Sequence, residues 1–285
     1  MSFLHPRLLR SLLLIEPFIF DEEDASGASL LAFAAKKKDI WQDRDTAMQN
    51  PSPLFRIWDP RVVEKWVKHG YRELPTVLYP DAKAPGAVTL ATSKNQELFS
   101  YVRVDVKQHR ELGRSQSSGT KTNSPVPPHD PLFHPDVAGD VYEGRLFYRP
   151  EPAVAWRLLP HCRPSVFYLG ASKSSVCLSG RIKRAAKLTG TGFGGSGGMP
   201  YERVKYTVLP NAFHTLPMEK VGETADSLAP WIAGEVNKWE QDERRIAEGW
   251  DELSPREKNM PSREWQSVFL PRIEAHMARQ KAAKL

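Results

Sequence analysis

The sequence predicts an α/β fold with parallel strands, on three observations. Leu12-Leu13-Leu14-Ile15 follows Ser11 as an uninterrupted apolar run. Ser165-Val166-Phe167-Tyr168-Leu169 is a second run, ended by Gly170, and Val204–Leu209 is a third, ended by Pro210. A basic helical stretch at about residues 179–188 lies between the second and the third, the pattern of a strand, a right-handed crossover and a parallel strand.

The first run lacks the alternation of a strand with one wet face, so it reads as a strand buried on both faces, with a neighbour on each edge. From about residue 21 to 163 the pattern turns to helices and long loops. Trp58-Asp59-Pro60 reads as an N-cap with proline in the first turn, and Val62, Val63, Trp66, Val67 and Tyr71 then share one helical face. Residues 85–101 carry alternating apolar side chains and fit either a strand or a second helix. Residues 113–140 are rich in Ser, Pro, Gly and Asn and read as a mobile loop. A helix is predicted from about 218 to 250, amphipathic at first and strongly charged through Glu240-Gln241-Asp242-Glu243-Arg244-Arg245. These readings divide the chain into four parts. Residues 1–20 hold a core strand and the loop after it. Residues 21–160 form a mostly helical insertion of the kind that covers a substrate. Residues 161–250 hold two further core strands with flanking helices, and residues 251–285 are a C-terminal extension.

The chain has 285 residues, enough for a sizeable core, and a formal net charge of +6. That charge suits an anionic partner, but Lys and Arg are interleaved with Asp and Glu, and no basic stripe with aromatics appears, so nucleic acid is not the expected partner. A small anionic substrate such as a coenzyme A ester fits the charge equally well. The two cysteines, Cys162 and Cys177, have no metal-ligand spacing and give no disulfide framework, which points to two buried thiols in a reducing compartment. No metal and no cofactor are expected. Arg7 and Arg10 before the first apolar run mimic a signal peptide, but Glu16 and Pro17 interrupt it. No run reaches the ~18 apolar residues of a membrane span. The chain closes Ala283-Lys284-Leu285, a conservative variant of the Ser-Lys-Leu address read by the peroxisomal import receptor, with Arg279 and Lys281 just upstream. The competing reading of those residues is a frayed basic helix end.

Two side chains stand where chemistry is done. His214 follows the third strand on a loop, where a ring can be both exposed and oriented, as a general base needs; the bland alternative is a histidine packed under the next helix. Glu16 closes the first strand and could orient that ring, or be a surface glutamate at a strand end. Gly194-Gly195-Ser196-Gly197-Gly198 matches G-x-S-x-G letter for letter, but a helix precedes it and a strand follows, whereas a nucleophile elbow turns from strand to helix. Residues 189–198 therefore read as a flexible loop, and no Gly-Lys-Ser/Thr follows to make a phosphate loop of it.

Several segments together resemble one family. They are Arg7-Leu8-Leu9-Arg10-Ser11-Leu12-Leu13-Leu14-Ile15-Glu16-Pro17, Trp58-Asp59-Pro60-Arg61, Phe147-Tyr148-Arg149-Pro150-Glu151-Pro152, Arg163-Pro164-Ser165-Val166, the glycine-rich stretch at 189–198, and His214-Thr215-Leu216-Pro217-Met218-Glu219. They are similar to the fungal peroxisomal α/β-hydrolases of secondary metabolism, which include the mycophenolic acid acyl-CoA hydrolase and hydrolases of host-selective toxin clusters. The resemblance implies the C-terminal part of an α/β-hydrolase fold, parallel strands six to eight, with a large, mostly helical lid insertion. It implies hydrolysis of an ester or acyl-CoA thioester through a serine acyl-enzyme, with no cofactor and with a peroxisomal location. The acid of such a triad follows the sixth or the seventh strand. The loop after Leu169 reads Gly170-Ala171-Ser172-Lys173-Ser174-Ser175, without a carboxylate, so Glu16 falls at the acid position, usually Asp, and His214 at the histidine. The family's nucleophile lies farther upstream than the fifteen residues before Glu16, so the 285-residue form reads as an incomplete or truncated catalytic domain.

The expected partners are thus a small acyl or ester substrate, a coenzyme A thioester among them, and the import receptor. The alternative is a catalytically inactive truncated homologue that acts as a binding or interaction protein, and a third reading is an enzyme using Ser196.

Overall fold

Three parallel strands, far apart in sequence, meet in one sheet whose carboxyl ends carry the two candidate residues. The computed structural model describes residues 5, 8–21, 27–49, 52–81, 84–101, 103–104, 147–148 and 151–283. They fall into two units, Met1–Ala229 and Pro230–Leu285.

The first apolar run forms β1 (Ser11–Ile15) and stops at Glu16, whose φ of 48° takes the chain out of extended structure. The insertion follows. α1 (Gly27–Lys36), β2 (Ile40–Trp41) and α2 (Arg44–Gln49) lead to α3 (Pro60–His69). The Asp59 side chain caps α3 by accepting from the Arg61 N–H at 2.9 Å, and Pro60 sits in the first turn. β3 (Tyr71–Glu73) and β4 (Val88–Leu90) come next. β2 and β3 flank β4 in a small antiparallel sheet over a cluster of Ala47, Tyr71, Val88 and Leu90. Residues 85–101, which fit a strand or a helix by pattern, hold one of each, since α4 (Lys94–Tyr101) follows β4. β5 (Arg103–Val104) pairs with β6 (Phe147–Tyr148), antiparallel, so the insertion carries two short sheets besides its helices. The loop expected at 113–140 lies outside the described residues.

After α5 (Glu151–Leu158) the chain returns to the main sheet as β7 (Ser165–Ala171). The short α6 (Ser175–Leu178) and the crossover helix α7 (Arg181–Leu188) connect it to β8 (Val204–Leu209). The strand order is β1-β7-β8, with Leu12 opposite Val166 and Val166 opposite Val204. Ile182, Ala185 and Ala186 recur at the spacing of one helical face and are all buried, forming one core with Val166, Tyr168, Val176 and Val204. Every residue of β7 is buried. The residues of β1, expected to be buried on both faces, are half-buried, with Leu13 exposed. The reason is its place: among the described residues β1 has β7 alone as a neighbour.

The helix expected from about 218 is divided in two. A one-turn α8 (Leu216–Glu219) precedes α9 (Val221–Asp251), which holds Pro230. The second unit contains the remainder of α9 and α10 (Arg263–Ala282), N-capped by Ser262, whose hydroxyl accepts from the Trp265 N–H at 3.1 Å. Among the described residues, no helix is long and apolar enough to cross a membrane.

Candidate active site

Glu16 is built by the end of β1. Its own N–H still donates to the Leu169 carbonyl at 2.8 Å, so the ladder continues while the left-handed φ throws the side chain over the end of β7. A non-glycine residue in that region costs roughly 1–3 kcal/mol and persists only where its surroundings hold it. Here the surroundings are specific: Oε1 accepts from the Ala171 N–H at 2.6 Å, and Oε2 accepts from His214 Nδ1 at 3.0 Å. The Glu16 side chain is 3% exposed, so its bond to Ala171 is buried and its bond to His214 lies at the edge of solvent. Gly170 makes room for this. A Cβ there would stand 2.6 Å from Ile182 Cδ1 and only in ordinary contact, at 3.6 Å, with Glu16 Oε1, so glycine lets α7 close on the strand beside the carboxylate.

His214 is held by a loop laced to the end of β7. The Ser172 N–H donates to Leu209 O at 3.0 Å, the Lys173 N–H to Ala212 O at 2.9 Å, and the Asn211 N–H to Ser172 Oγ at 2.9 Å. Ala212 and Leu216, both fully buried, anchor the loop at its two ends. The His214 side chain is 59% exposed, so an outside group can reach its ring. A carboxylate oxygen accepts, so this bond calls for the proton on Nδ1, and in the neutral ring that leaves the lone pair on Nε2. That tautomer is the one a general base needs.

The structure brings Glu16 and His214 together and leaves Ser196 apart. The Gly190 N–H donates to Leu159 O at 2.8 Å and the Ser196 N–H to Cys162 O at 2.9 Å, and residues 159–162 precede β7. The glycine-rich loop therefore lies at the amino ends of the strands, while Glu16 and His214 follow carboxyl ends. Six-residue β8 separates the two sites by ~20 Å at about 3.3 Å per residue. The loop is also close-packed rather than flexible. A Cβ on Gly195 would collide with the carbonyl oxygens of Pro160 and Gly190, and one on Gly190 with Ser196 Oγ.

The remaining candidates are placed as follows. Burial pushes the Cys162 thiol up to about 11; burial and, after it, the charge of Glu16 also raise that of Cys177, so neither is an activated nucleophile. No group of His, Cys, Asp and Glu able to hold a metal occurs among the described residues. Ala283 caps α10, while Lys284 and Leu285 lie outside the described residues.

Four residues named in the sequence only as parts of a helix start or of longer segments bond to one another beside the pair. Thr215 Oγ donates to Glu219 Oε1 at 2.5 Å and accepts from Trp58 Nε1 at 3.1 Å. The Phe213 N–H donates to Glu219 Oε2 at 2.8 Å, and the Asp59 N–H to Met218 O at 2.8 Å. Thr215 and Glu219 stand one residue wider than the spacing of a capping box, so no local pattern gives their bond. Trp58 and Asp59 are legible as a helix start, but their contacts with the histidine loop come from the fold alone.

Comparison with known proteins places this geometry in a wider setting. No family model matches the chain. It is 31% identical over 304 residues to the type I acyl-CoA thioesterase mpaH of Penicillium brevicompactum, an alignment that takes in all of this chain and 66% of that protein. It is 24% identical over 274 residues to the abhydrolase domain-containing protein AFT2-1 of Alternaria alternata, covering 94% of this chain and 90% of the other. Among solved structures, the peroxisomal α/β-hydrolase Lpx1 of Saccharomyces cerevisiae aligns with a TM-score of 0.50 at 12% identity, over 98% of this chain and 58% of that one. That likeness speaks to the fold.

Proposed function

The chain belongs to the fungal α/β-hydrolases, and from that premise we propose that residues 1–285 carry the acid and histidine of a serine hydrolase acting on an ester or acyl-CoA thioester. The observation that carries the reading is the 3.0 Å bond from His214 Nδ1 to a buried Glu16 at the carboxyl ends of parallel strands. In this reading His214 Nε2 takes the proton of a serine hydroxyl as that oxygen bonds to the acyl carbon. Glu16 stabilises the imidazolium so formed. His214 returns the proton to the departing thiol or alcohol, and a water activated in the same way releases the acid. Hydrolysis belongs to the whole protein. This chain spans 66% of the length of the thioesterase, and the reading needs a serine on a strand-to-helix G-x-S-x-G turn, which residues 1–285 do not supply.

Three further features support the assignment. A net charge of +6 suits the phosphates of coenzyme A. Trp58 and Asp59 of the insertion bond to the loop that bears His214, as a lid over that loop does. Ala283-Lys284-Leu285 supplies a peroxisomal address, which fits a hydrolase of fungal secondary metabolism.

The test uses the native protein from its source cells, a fluorophosphonate probe, and acyl-CoA thioesters whose hydrolysis is followed by the freed thiol. Labelling and turnover, both abolished in His214→Ala, are expected. Neither labelling nor turnover would replace this reading with a non-catalytic acyl-binding protein, and turnover indifferent to His214→Ala would refute the pair.

A further inference from the structure

The two segments Trp58-Asp59 and Thr215–Glu219 lie 157 residues apart and meet around His214. An exposed ring receives little guidance from packing. With 59% of its side chain exposed, His214 takes its orientation from its bond to Glu16 and from its backbone, and that backbone is gripped by Glu219. One carboxylate oxygen of Glu219 takes the N–H of Phe213 at 2.8 Å, and the other takes the hydroxyl of Thr215 at 2.5 Å. The residues on either side of His214 are thus tied to one rigid planar group. Thr215 gives its single proton to Glu219, so its oxygen is free to accept, and Trp58 Nε1 donates to it at 3.1 Å. Indole, hydroxyl and carboxylate form a chain of bonds polarised in one direction, each strengthening the next. The Asp59 N–H on Met218 O at 2.8 Å adds a second tie from the insertion.

We propose that Glu219 is a positioning residue for His214, and that Trp58, through Thr215, makes this positioning depend on the insertion. The proposal rests on the assignment of Glu16 and His214 as a catalytic pair. A working pair must be held within about 0.5 Å of its productive geometry, and here Glu16 holds the ring while Glu219 holds the loop that carries it. Glu219 touches neither substrate nor ring. Its effect reaches the chemistry through the loop alone.

The test reads the His214 Nδ1–H proton by nuclear magnetic resonance in the ¹⁵N-labelled 285-residue chain, assigned by its loss in Glu16→Gln and His214→Ala. Glu219→Ala should broaden it and speed its exchange with water by about tenfold or more, since it removes two modest hydrogen-bonding constraints. Trp58→Phe should act in the same direction and less, and Glu219→Gln, which keeps one acceptor, should retain part of the signal. An unchanged resonance and exchange rate in folded Glu219→Ala would overturn the proposal. Should that variant fail to fold, Thr215→Val removes the hydroxyl while keeping the shape, and an unchanged resonance there overturns it equally. A wild-type chain with no such resonance would refute the Glu16–His214 pair and the proposal with it. A resonance present but indifferent to Glu219 and Thr215 refutes the positioning role alone.

Discussion

The Ala171 N–H donates to Glu16 Oε1 at 2.6 Å, so the last residue of the central strand holds the candidate acid from the side opposite His214. Glu16 is thereby fixed at both oxygens. The two bonds make different demands, one met by any acceptor and one that requires an acceptor facing Nδ1–H.

Glu16→Gln separates those demands. The amide oxygen can keep the Ala171 bond, but the amide nitrogen then faces Nδ1 and favours the wrong tautomer. In the whole enzyme the expected loss in kcat is about 10³–10⁴-fold with little change in melting temperature, the pattern known for an acid-to-amide change in a serine triad. Glu16→Ala should in addition cost roughly 1–3 kcal/mol of stability, because a buried N–H loses its partner. Hydrolysis assays paired with thermal unfolding check both, and a fully active Glu16→Gln enzyme would contradict the assignment.

Gly170→Ala should destabilise the chain by roughly 1–3 kcal/mol, the usual cost of overpacking a well-filled core. The added methyl meets Ile182 Cδ1, which belongs to a residue only 2% exposed and has little room to move. Combining it with Ile182→Val should recover part of the loss. Urea unfolding of the three variants reads this out, and additive losses in the double variant would show that the clash lies elsewhere.

Ser196→Ala should leave both hydrolysis and stability within about 0.5 kcal/mol of wild type, as expected for a site remote from the chemistry. Gly195→Ala, two backbone oxygens away from any free space, should be the damaging change in that loop. Loss of fluorophosphonate labelling in Ser196→Ala would reverse this assignment.

Cys162 offers a pH test. Its folded thiol is pushed up to about 11 by burial, whereas an unfolded thiol titrates at about 8.5. Between those values the unfolded chain binds fewer protons than the folded one, so this group's stabilising contribution is complete below pH ~8.5 and declines as the pH rises toward about 11. Denaturant unfolding from pH 7 to 10 should show the decline, and Cys162→Ala should flatten it. In the folded chain at pH 8, iodoacetamide should leave Cys162 unmodified by mass spectrometry; rapid modification would refute the buried-thiol description.

Deleting Leu285 should move the protein from peroxisomes to the cytosol, since the import receptor reads the extreme C-terminus. Fluorescence microscopy of an N-terminally tagged chain decides it, and unchanged peroxisomal signal would defeat the targeting proposal.

How much of this was legible in the sequence depends on distance along the chain. The three core strands were, because unbroken apolar runs ended by Gly170 and Pro210 leave few other structures open. Glu16 and His214 could be placed at the carboxyl ends of two of them, but the bond between the two residues is a property of the strand order, which places β1 and β8 on either side of β7. The half-exposure of Leu13 ran against its apolar pattern, since a run of leucines does not record how many neighbours its strand has. The glycines at 190 and 195 read as flexibility because composition alone cannot distinguish a loop with no contacts from one packed too tightly for a Cβ. Trp58 was legible as part of a helix start and as nothing more; its indole partner lies 157 residues on.

The two-residue ladder between β5 and β6 has an evolutionary consequence. Arg103 opposite Tyr148 and Val104 opposite Phe147 bring the two ends of an excursion to adjacent positions. The entropic cost of closing a loop rises only slowly with its length, by about 0.6 kcal/mol for each doubling, so a change in the number of residues between two paired strands costs little. Segments spliced in or cut out between those strands would leave the register of the main sheet and the setting of Glu16 and His214 intact. The ladder is thus a seam at which a lineage can change length without disturbing the residues proposed to do the chemistry.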